Sequence, residues 1–148
     1  MNHQGHMVKE LSDLKPVFYP GTIAVIGAST TFGKWGQVIF SNIVAGGFKG
    51  KVFPVNPKGG KMFGLDVFKR VTDIPDAVDL AFITTPAETV PGLLEELGEK
   101  DVKGAVIITS GFSETDASGK ELEKKIVEIA RKNSIWIIGP NTMGIICP

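Results

Sequence analysis

The stretch from Thr22 to Phe40 constrains the fold of this chain more than any other. An apolar run from Ile23 to Ile26 ends at Gly27, small residues and two further glycines follow, and a helical pattern then begins. A strand that leads through a glycine-rich turn into a helix N-terminus is typical of nucleotide-binding α/β folds. Glycine lets backbone N–H groups come close to a ligand, and the first N–H groups of a helix carry partial positive charge. The stretch therefore predicts a phosphate-bearing ligand. Its glycine spacing is not that of the dinucleotide fingerprint.

Apolar runs alternate with helical patterns along the rest of the chain. Five strands are predicted: Thr22–Ile26, Lys51–Val55, Asp79–Ile83, Gly104–Thr109 and Ile135–Ile138. Helices are predicted over Lys34–Ala45, Ala87–Lys100 and Ala117–Asn133. The alternation predicts a Rossmann-like α/β fold, a doubly wound parallel sheet of five strands in the order 3-2-1-4-5 with helices on both faces.

Composition excludes several kinds of partner. The 148 residues carry no formal net charge, so no global basic field would attract nucleic acid. No apolar run approaches the ~20 residues of a membrane span. Cys147 is the only cysteine, which excludes an internal disulfide and favours a reducing, cytoplasmic environment.

The two ends of the chain differ from the rest. Residues 1–7, MNHQGHM, are interpreted as a cloning remnant, and residues 8–148 as a single domain. The apolar C-terminal sequence favours a piece cut out of a longer protein.

The loops that follow the five strands converge on one edge of a parallel sheet. They have the sequences GASTTFG, NPKGG, TTP, TSGF and GPN, and all are rich in small, polar or turn-forming residues. In this architecture a ligand lies across the carboxyl ends of the strands. The five loops together predict a binding site, with simple turns as the alternative.

The second loop discriminates among nucleotides. An NAD site needs a carboxylate after the second strand, whereas this chain has Asn56, Pro57 and Lys58 there. A lysine suits an extra phosphate near the ribose, which points to NADP or to the 3′-phosphorylated ADP of coenzyme A. The alternative for Lys58 is a solvated turn residue.

No catalytic or metal-ligating constellation is present. Both histidines, His3 and His6, lie in the interpreted remnant, so Ser/His/Asp or Cys/His catalysis is not expected. No Cys/His cluster has metal-ligand spacing. Phe32 and Trp35, beside the first loop, could flank a ligand or anchor the core, and the core is favoured for Trp35.

The ordered set of motifs resembles a known family. The segments IAVIGAS, PVNPK, DLAFITTPAETVP, KGAVIITSGFSE and IIGPNTMGIICP resemble the coenzyme A-binding domain of the NDP-forming acyl-CoA synthetases. These include the ADP-forming acetyl-CoA synthetases and, more distantly, the succinyl-CoA synthetase α subunit. The resemblance covers about Phe18 to Pro148. Each motif alone is weak, but the ordered set is specific.

The resemblance implies a set of coenzyme A-binding residues. The first loop would hold phosphates, through Gly27, Ala28, Ser29, Thr30, Phe32, Gly33, Lys34 and Gly36. The second loop would meet the nucleotide phosphates, through Asn56, Pro57 and Lys58. The remaining loops would line the rest of the ligand, through Thr84, Thr85, Pro86, Ile108, Thr109, Ser110 and Gly111, with Asn141 near the thiol. The chain departs from the family at Thr142, where a cysteine is common, and at Ser110, which is acidic in the succinyl enzyme.

The resemblance also implies a division of labour. The domain would position the thiol of coenzyme A for attack on an acyl phosphate, with no catalysis by the fragment alone. The partners would be the phosphohistidine-bearing and ATP-grasp domains of the ligase. The alternatives are a standalone, non-catalytic coenzyme A-binding module and a fragment of an NADP-dependent oxidoreductase.

Overall fold

A five-stranded parallel sheet organises the molecule. The structure is a computed structural model that describes residues 11–145. The strands of the sheet are β1 (Thr22–Ile26), β2 (Lys51–Val55), β5 (Leu80–Ile83), β6 (Gly104–Ile107) and β7 (Trp136–Ile138). A separate antiparallel hairpin is formed by β3 (Lys61–Met62) and β4 (Leu65–Asp66). The prediction of a parallel α/β sheet is confirmed.

Helices cover both faces of the sheet, as predicted. The helices are α1 (Lys15–Phe18), α2 (Trp35–Ala45), α3 (Val90–Glu99) and α4 (Ala117–Lys132). Short 3-10 turns lie over Leu11–Leu14, Val71–Asp73 and Ala87–Thr89. The last of these shortens the helix that was predicted to begin at Ala87. The interpretation of residues 1–7 as a cloning remnant lies outside the described residues.

Strand periodicity divides the core into two layers. Ala24, Ile26 and Ile83 point to the face covered by α3 and α4. Their neighbours in sequence, including Val25 and Phe82, point to the face covered by α2 and by Val17 of α1. The central strands are thus buried on both faces, as parallel strands between two helical layers must be.

The predicted strand order, 3-2-1-4-5, is wrong. The observed order is β2-β1-β5-β6-β7. The strand that comes third along the chain, β5, therefore lies beside β1, whereas the prediction placed it beyond β2. β5 pairs with β1 on one side and with β6 on the other, and all four of its residues are buried, whereas Lys51 at the start of β2 is exposed. Pro54 has no N–H to donate, and proline is tolerated in an edge strand such as β2.

The observed order places the reversal of strand order between β1 and its neighbour β5. The chain leaves β1 for β2 on one side and returns to β5 on the other, so the reversal lies between β1 and β5. In open α/β sheets the crevice at such a point is the usual ligand site. The loops after β1 and β5, residues 27–34 and 84–86, therefore flank that crevice.

Candidate functional site

The glycine loop after β1 is tied to both neighbouring strands. The N–H groups of Gly27 and Ala28 both donate to the Val55 carbonyl, at 2.9 and 3.2 Å. From the other side, the Thr84 hydroxyl donates to the Ile26 carbonyl at 2.9 Å. Gly27 has a φ of +90°, a conformation that suits glycine. The start of the loop is therefore fixed by strands on either side.

The end of the same loop brings a helix terminus against the strand. A Cβ added to Gly36 would lie only 1.9 Å from the Gly27 carbonyl oxygen. Only glycine allows α2 to begin so close to the end of β1. Lys34 occupies the position before the helix and makes no side-chain cap, so the first N–H groups of α2 remain available to an anion.

Asn56 joins the first two loops. Its side-chain Nδ2 donates to the Ala28 carbonyl at 3.0 Å, and its Oδ1 accepts the Lys58 N–H at 2.9 Å. The amide is thus occupied at both ends by the protein. Asn56 fixes the glycine loop relative to the Lys58 turn, which is a role of positioning rather than of direct contact.

The first cavity, of about 590 Å³, lies between these two loops. It is lined by fifteen positions of the three loops or their immediate neighbours and by three on the hairpin side. The loop positions are Gly27, Ala28, Ser29, Thr30, Thr31, Gly33, Lys34, Trp35, Gly36, Asn56, Lys58, Gly59, Thr84, Thr85 and Pro86, and the hairpin side contributes Lys61, Met62 and Val67. Lys61 is paired with Asp66 at 2.8 Å. Within residues 11–145, neither Lys34 nor Lys58 has an ion-pair partner, so both lysines are available to a bound anion.

A second cavity, of about 510 Å³, continues the first along the sheet edge. It is lined by Trp35, Thr84, Thr85, Pro86, Ala87, Glu88, Ile108, Thr109, Ser110, Gly111, Asn141, Thr142 and Met143. Trp35 and residues 84–86 line both cavities. The Thr109 hydroxyl donates to the Thr85 carbonyl at 2.6 Å, which links the ends of β5 and β6. The two cavities are therefore adjacent at the carboxyl edge of the sheet, and together they are called the groove.

The observed locations of Trp35, Phe32 and Pro57 differ from the predicted ones. Trp35 is half exposed and lines both cavities, so the preference for a core role was wrong. Phe32 is 93% exposed, and neither it nor Pro57 lines either of these two cavities. Trp35 was missed as a site residue because a tryptophan in a helix first turn gives the same local pattern whether it faces core or groove.

The hairpin and Glu114 were also missed. Met62 and Val67 close one side of the first cavity, and no loop motif indicated them. Glu114 accepts the N–H groups of Gly111 and Phe112. The hydrogen bond from Gly111, followed by those from Glu114's own backbone N–H and from Phe112, lowers the pKa of this carboxyl from its ordinary value.

Two kinds of feature are absent from the described part of the chain. Residues 11–145 contain no cluster of three or more His, Cys, Asp or Glu side chains suited to a metal ion. Among the same residues, no helix is both long and apolar enough to pass through a bilayer.

Comparison with known proteins identifies the family. The model of a family described as "CoA binding domain" matches residues 21–148. The chain belongs to this family. The resemblance seen in the sequence is thereby confirmed, and so is its connection to the ADP-forming ligases.

Several relatives of this CoA-binding domain are ADP-forming ligases. The chain is 48% identical over 136 residues to acetate–CoA ligase [ADP-forming] II of Archaeoglobus fulgidus, covering 92% of the chain and 20% of that protein. It is 46% identical over 137 residues to the α subunit of acetate–CoA ligase [ADP-forming] I of Pyrococcus furiosus, covering 90% and 30%. The chain thus spans about a fifth to a third of these relatives.

A solved structure shares the fold closely. It is the acetyl-coenzyme A synthetase 1 of Ca. Korarchaeum cryptofilum, solved in complex with phosphate and ADP. The TM-score is 0.85 at 42% identity, with 90% of this chain and 28% of that chain covered. A hypothetical protein from Pyrococcus horikoshii, at 22% identity and a TM-score of 0.66, shares the fold alone.

Proposed function

We propose that this domain binds coenzyme A in the groove at the carboxyl edge of the sheet. The nucleotide phosphates would lie in the first cavity, and the pantetheine arm in the second. The observation that supports this most directly is the contrast between the two joined cavities. One offers two unpaired lysines, Lys34 and Lys58, and a helix N-terminus. The other is lined by hydroxyl and apolar side chains such as Thr109 and Ile108.

This contrast matches the chemistry of the ligand. Coenzyme A has a polyanionic head and a neutral arm that carries two amides and ends in a thiol. Phosphates are favoured beside lysines and exposed N–H groups, and the arm needs apolar contact with a few hydrogen-bonding groups. Asn141 also lines the second cavity and follows β7, the strand at the end of the sheet opposite β2, so the thiol would emerge there.

We further propose that the domain serves an ADP-forming acyl-CoA synthetase. Its role would be to hold the thiol for attack on an acyl phosphate produced by the other domains of the ligase. In that step the sulfur forms a bond to the acyl carbon, the carbon–oxygen bond to phosphate breaks, and inorganic phosphate leaves. The thiol proton passes to solvent or to a group outside residues 11–145. The domain's contribution would be orientation of the reacting atom.

Calorimetric titration tests the binding proposal. The protein is titrated separately with coenzyme A, with 3′-dephospho-coenzyme A and with NADP. We expect coenzyme A to bind most tightly and the dephospho form about tenfold more weakly, because one phosphate–lysine contact is lost. Binding of NADP without binding of coenzyme A would overturn the proposal and favour the oxidoreductase alternative.

The role in a ligase needs a separate measurement. The domain is joined to the phosphohistidine-bearing and ATP-grasp domains of an ADP-forming relative, in place of that relative's own coenzyme A-binding domain. We expect acyl-CoA formation that depends on ATP and on the added domain. A hybrid that binds coenzyme A but forms no acyl-CoA would contradict the ligase role and favour a standalone binding module.

A further inference from the structure

The loop after β6 carries a carboxylate clamp that the proposed site does not yet explain. Glu114 accepts the Gly111 N–H with Oε1 at 2.5 Å and the Phe112 N–H with Oε2 at 3.1 Å. Both oxygens of one side chain therefore hold two consecutive N–H groups. Hydrogen bonds to an ionised acceptor are stronger than neutral ones, and the lowered pKa of Glu114 agrees with an ionised carboxylate here.

The clamped loop forms one wall of the second cavity. Residues 108–111 line it, whereas Glu114, which accepts the Gly111 N–H, does not. On one side the loop is anchored by Thr109, whose hydroxyl donates to the Thr85 carbonyl. On the other side it is anchored by Phe112, whose side chain is fully buried.

Between these anchors the loop has little other support. Gly111 has a φ of +104°, and glycine there leaves the backbone free to adopt other conformations. The hydrogen bond from the Gly111 N–H to Glu114 is the one described contact that fixes the main chain between Thr109 and Phe112. Without it, this part of the wall would have to be ordered when a ligand binds, at a cost in conformational entropy.

We propose that Glu114 is a positioning residue for the pantetheine half of the ligand. Its carboxylate holds Gly111 and Phe112 so that Ser110 and Gly111 present a preformed wall to the arm. The inference rests on the proposed binding of coenzyme A. It assigns Glu114 an effect on one half of the ligand and none on the other, since the first cavity contains no residue of this loop.

Two ligands and two variants test this assignment. Glu114→Ala and Glu114→Gln are titrated with coenzyme A and with adenosine 3′,5′-bisphosphate, which lacks the arm. For Glu114→Ala we expect coenzyme A to bind about tenfold more weakly, the cost of ordering about one residue, and the bisphosphate to bind as in the wild type. Glu114→Gln should recover part of the affinity, because its amide oxygen can still accept one N–H group.

Glu123→Ala is the matched control. Glu123 accepts the Ser113 N–H at 3.1 Å, so it holds the same segment two residues beyond Gly111, but Ser113, unlike Gly111, lines neither cavity of the groove. We expect this variant to bind both ligands as the wild type does. Thermal unfolding of each variant shows whether it is folded. If Glu114→Ala does not fold, the affinities of Glu114→Gln for the two ligands are compared instead.

Several outcomes would overturn the inference. They are an equal loss for both ligands, no loss for coenzyme A, tighter binding of coenzyme A by Glu114→Ala, or the same selective loss in Glu123→Ala. Wild-type protein that does not bind coenzyme A would instead overturn the proposed function, and the inference with it. The wild-type titration therefore separates the two failures.

Discussion

Two carboxylates clamp the backbone at opposite edges of the sheet. Glu114 holds two consecutive N–H groups at the carboxyl edge, and Asp79 holds those of Gly21 and Thr22 at the amino edge, at 2.7 and 3.1 Å. In both clamps one carboxylate accepts two consecutive N–H groups, but the two clamps stabilise different parts of the fold. Asp79 joins the starts of β5 and β1, whereas Glu114 supports the wall of a groove. We therefore expect a binding role only for the clamp at the carboxyl edge.

The cavities at the two edges differ in the same way. A cavity of about 770 Å³, larger than either cavity of the groove, lies beside the starts of β1, β2 and β5 and is lined mostly by apolar and glycine residues, with Lys49 as the one lysine among its described lining. The two smaller cavities at the carboxyl edge contain the lysines, hydroxyl groups and helix N-terminus that a phosphorylated ligand needs. The proposed site is therefore chosen by the chemistry of the cavity lining and not by cavity volume.

The largest effect should come from Gly36→Ala. Its Cβ would meet the Gly27 carbonyl at 1.9 Å, so α2 or the glycine loop must move. We expect the free energy of unfolding to fall by about 3 kcal/mol, as for a severe overpacking, and coenzyme A affinity to fall about a hundredfold. Chemical denaturation and calorimetric titration measure the two effects.

Gly92→Ala is the control for this variant. Gly92 is exposed in α3 with open space around it, so alanine should raise the free energy of unfolding by about 0.5 kcal/mol and leave binding unchanged. Wild-type affinity in a folded Gly36→Ala variant would show that the glycine loop does not form the site.

Asp79→Ala should separate stability from binding. The substitution leaves the N–H groups of Gly21 and Thr22 without their acceptor, and we expect the free energy of unfolding to fall by about 2 kcal/mol. Coenzyme A affinity should stay within about twofold of the wild type, because the clamp is at the opposite edge.

Asp76→Ala provides the comparison within the same segment. Asp76 forms an ion pair with Lys51, whose side chain is largely exposed, and such pairs contribute about 0.5 kcal/mol or less. A large loss of coenzyme A affinity in Asp79→Ala, without unfolding, would remove the functional distinction between the two edges.

The smallest of these effects should come from Lys58→Ala. Lys58 is exposed, so water screens its charge, and we expect coenzyme A affinity to fall about tenfold with no change in stability. The preference for coenzyme A over its 3′-dephospho form should largely disappear, which titration with both ligands measures.

Lys49→Ala tests whether charge alone explains the result. Lys49 is an exposed lysine of the amino-edge cavity, so its removal changes the net charge equally but should leave both affinities unchanged. An equal loss in both variants would indicate a non-specific effect of charge and would contradict a phosphate contact at Lys58.

Much of the carboxyl edge could be predicted because its signals are local. Gly27 and Gly36 mark the turn and the close approach, and the loops at 84–86 and 108–111 follow directly from strand ends. Seventeen of the nineteen predicted binding positions line the groove, the exceptions being Phe32 and Pro57. Their contact with coenzyme A stays a prediction, which the titrations address.

Other features were decided by tertiary structure. Local sequence places Asn56 in the second loop, but only the packed structure shows its amide occupied by Ala28 and Lys58. Likewise, Trp35 at the start of α2 gives no local sign that it faces the groove. The partners of such side chains come from separate loops, and sequence spacing does not encode them.

The sequence by itself determined the strands and helices, the family and the edge at which a ligand would lie. These follow from periodicity, glycine positions and ordered motifs, all of which are local properties of the chain. The strand order was decided by tertiary structure, because several strands are apolar and any of them could pair with β1. Burial of all four residues of β5 and the proline in β2 select one arrangement only when the whole sheet is assembled. The clamp of Asp79 on Gly21, 58 residues away in sequence, depends on the same assembly.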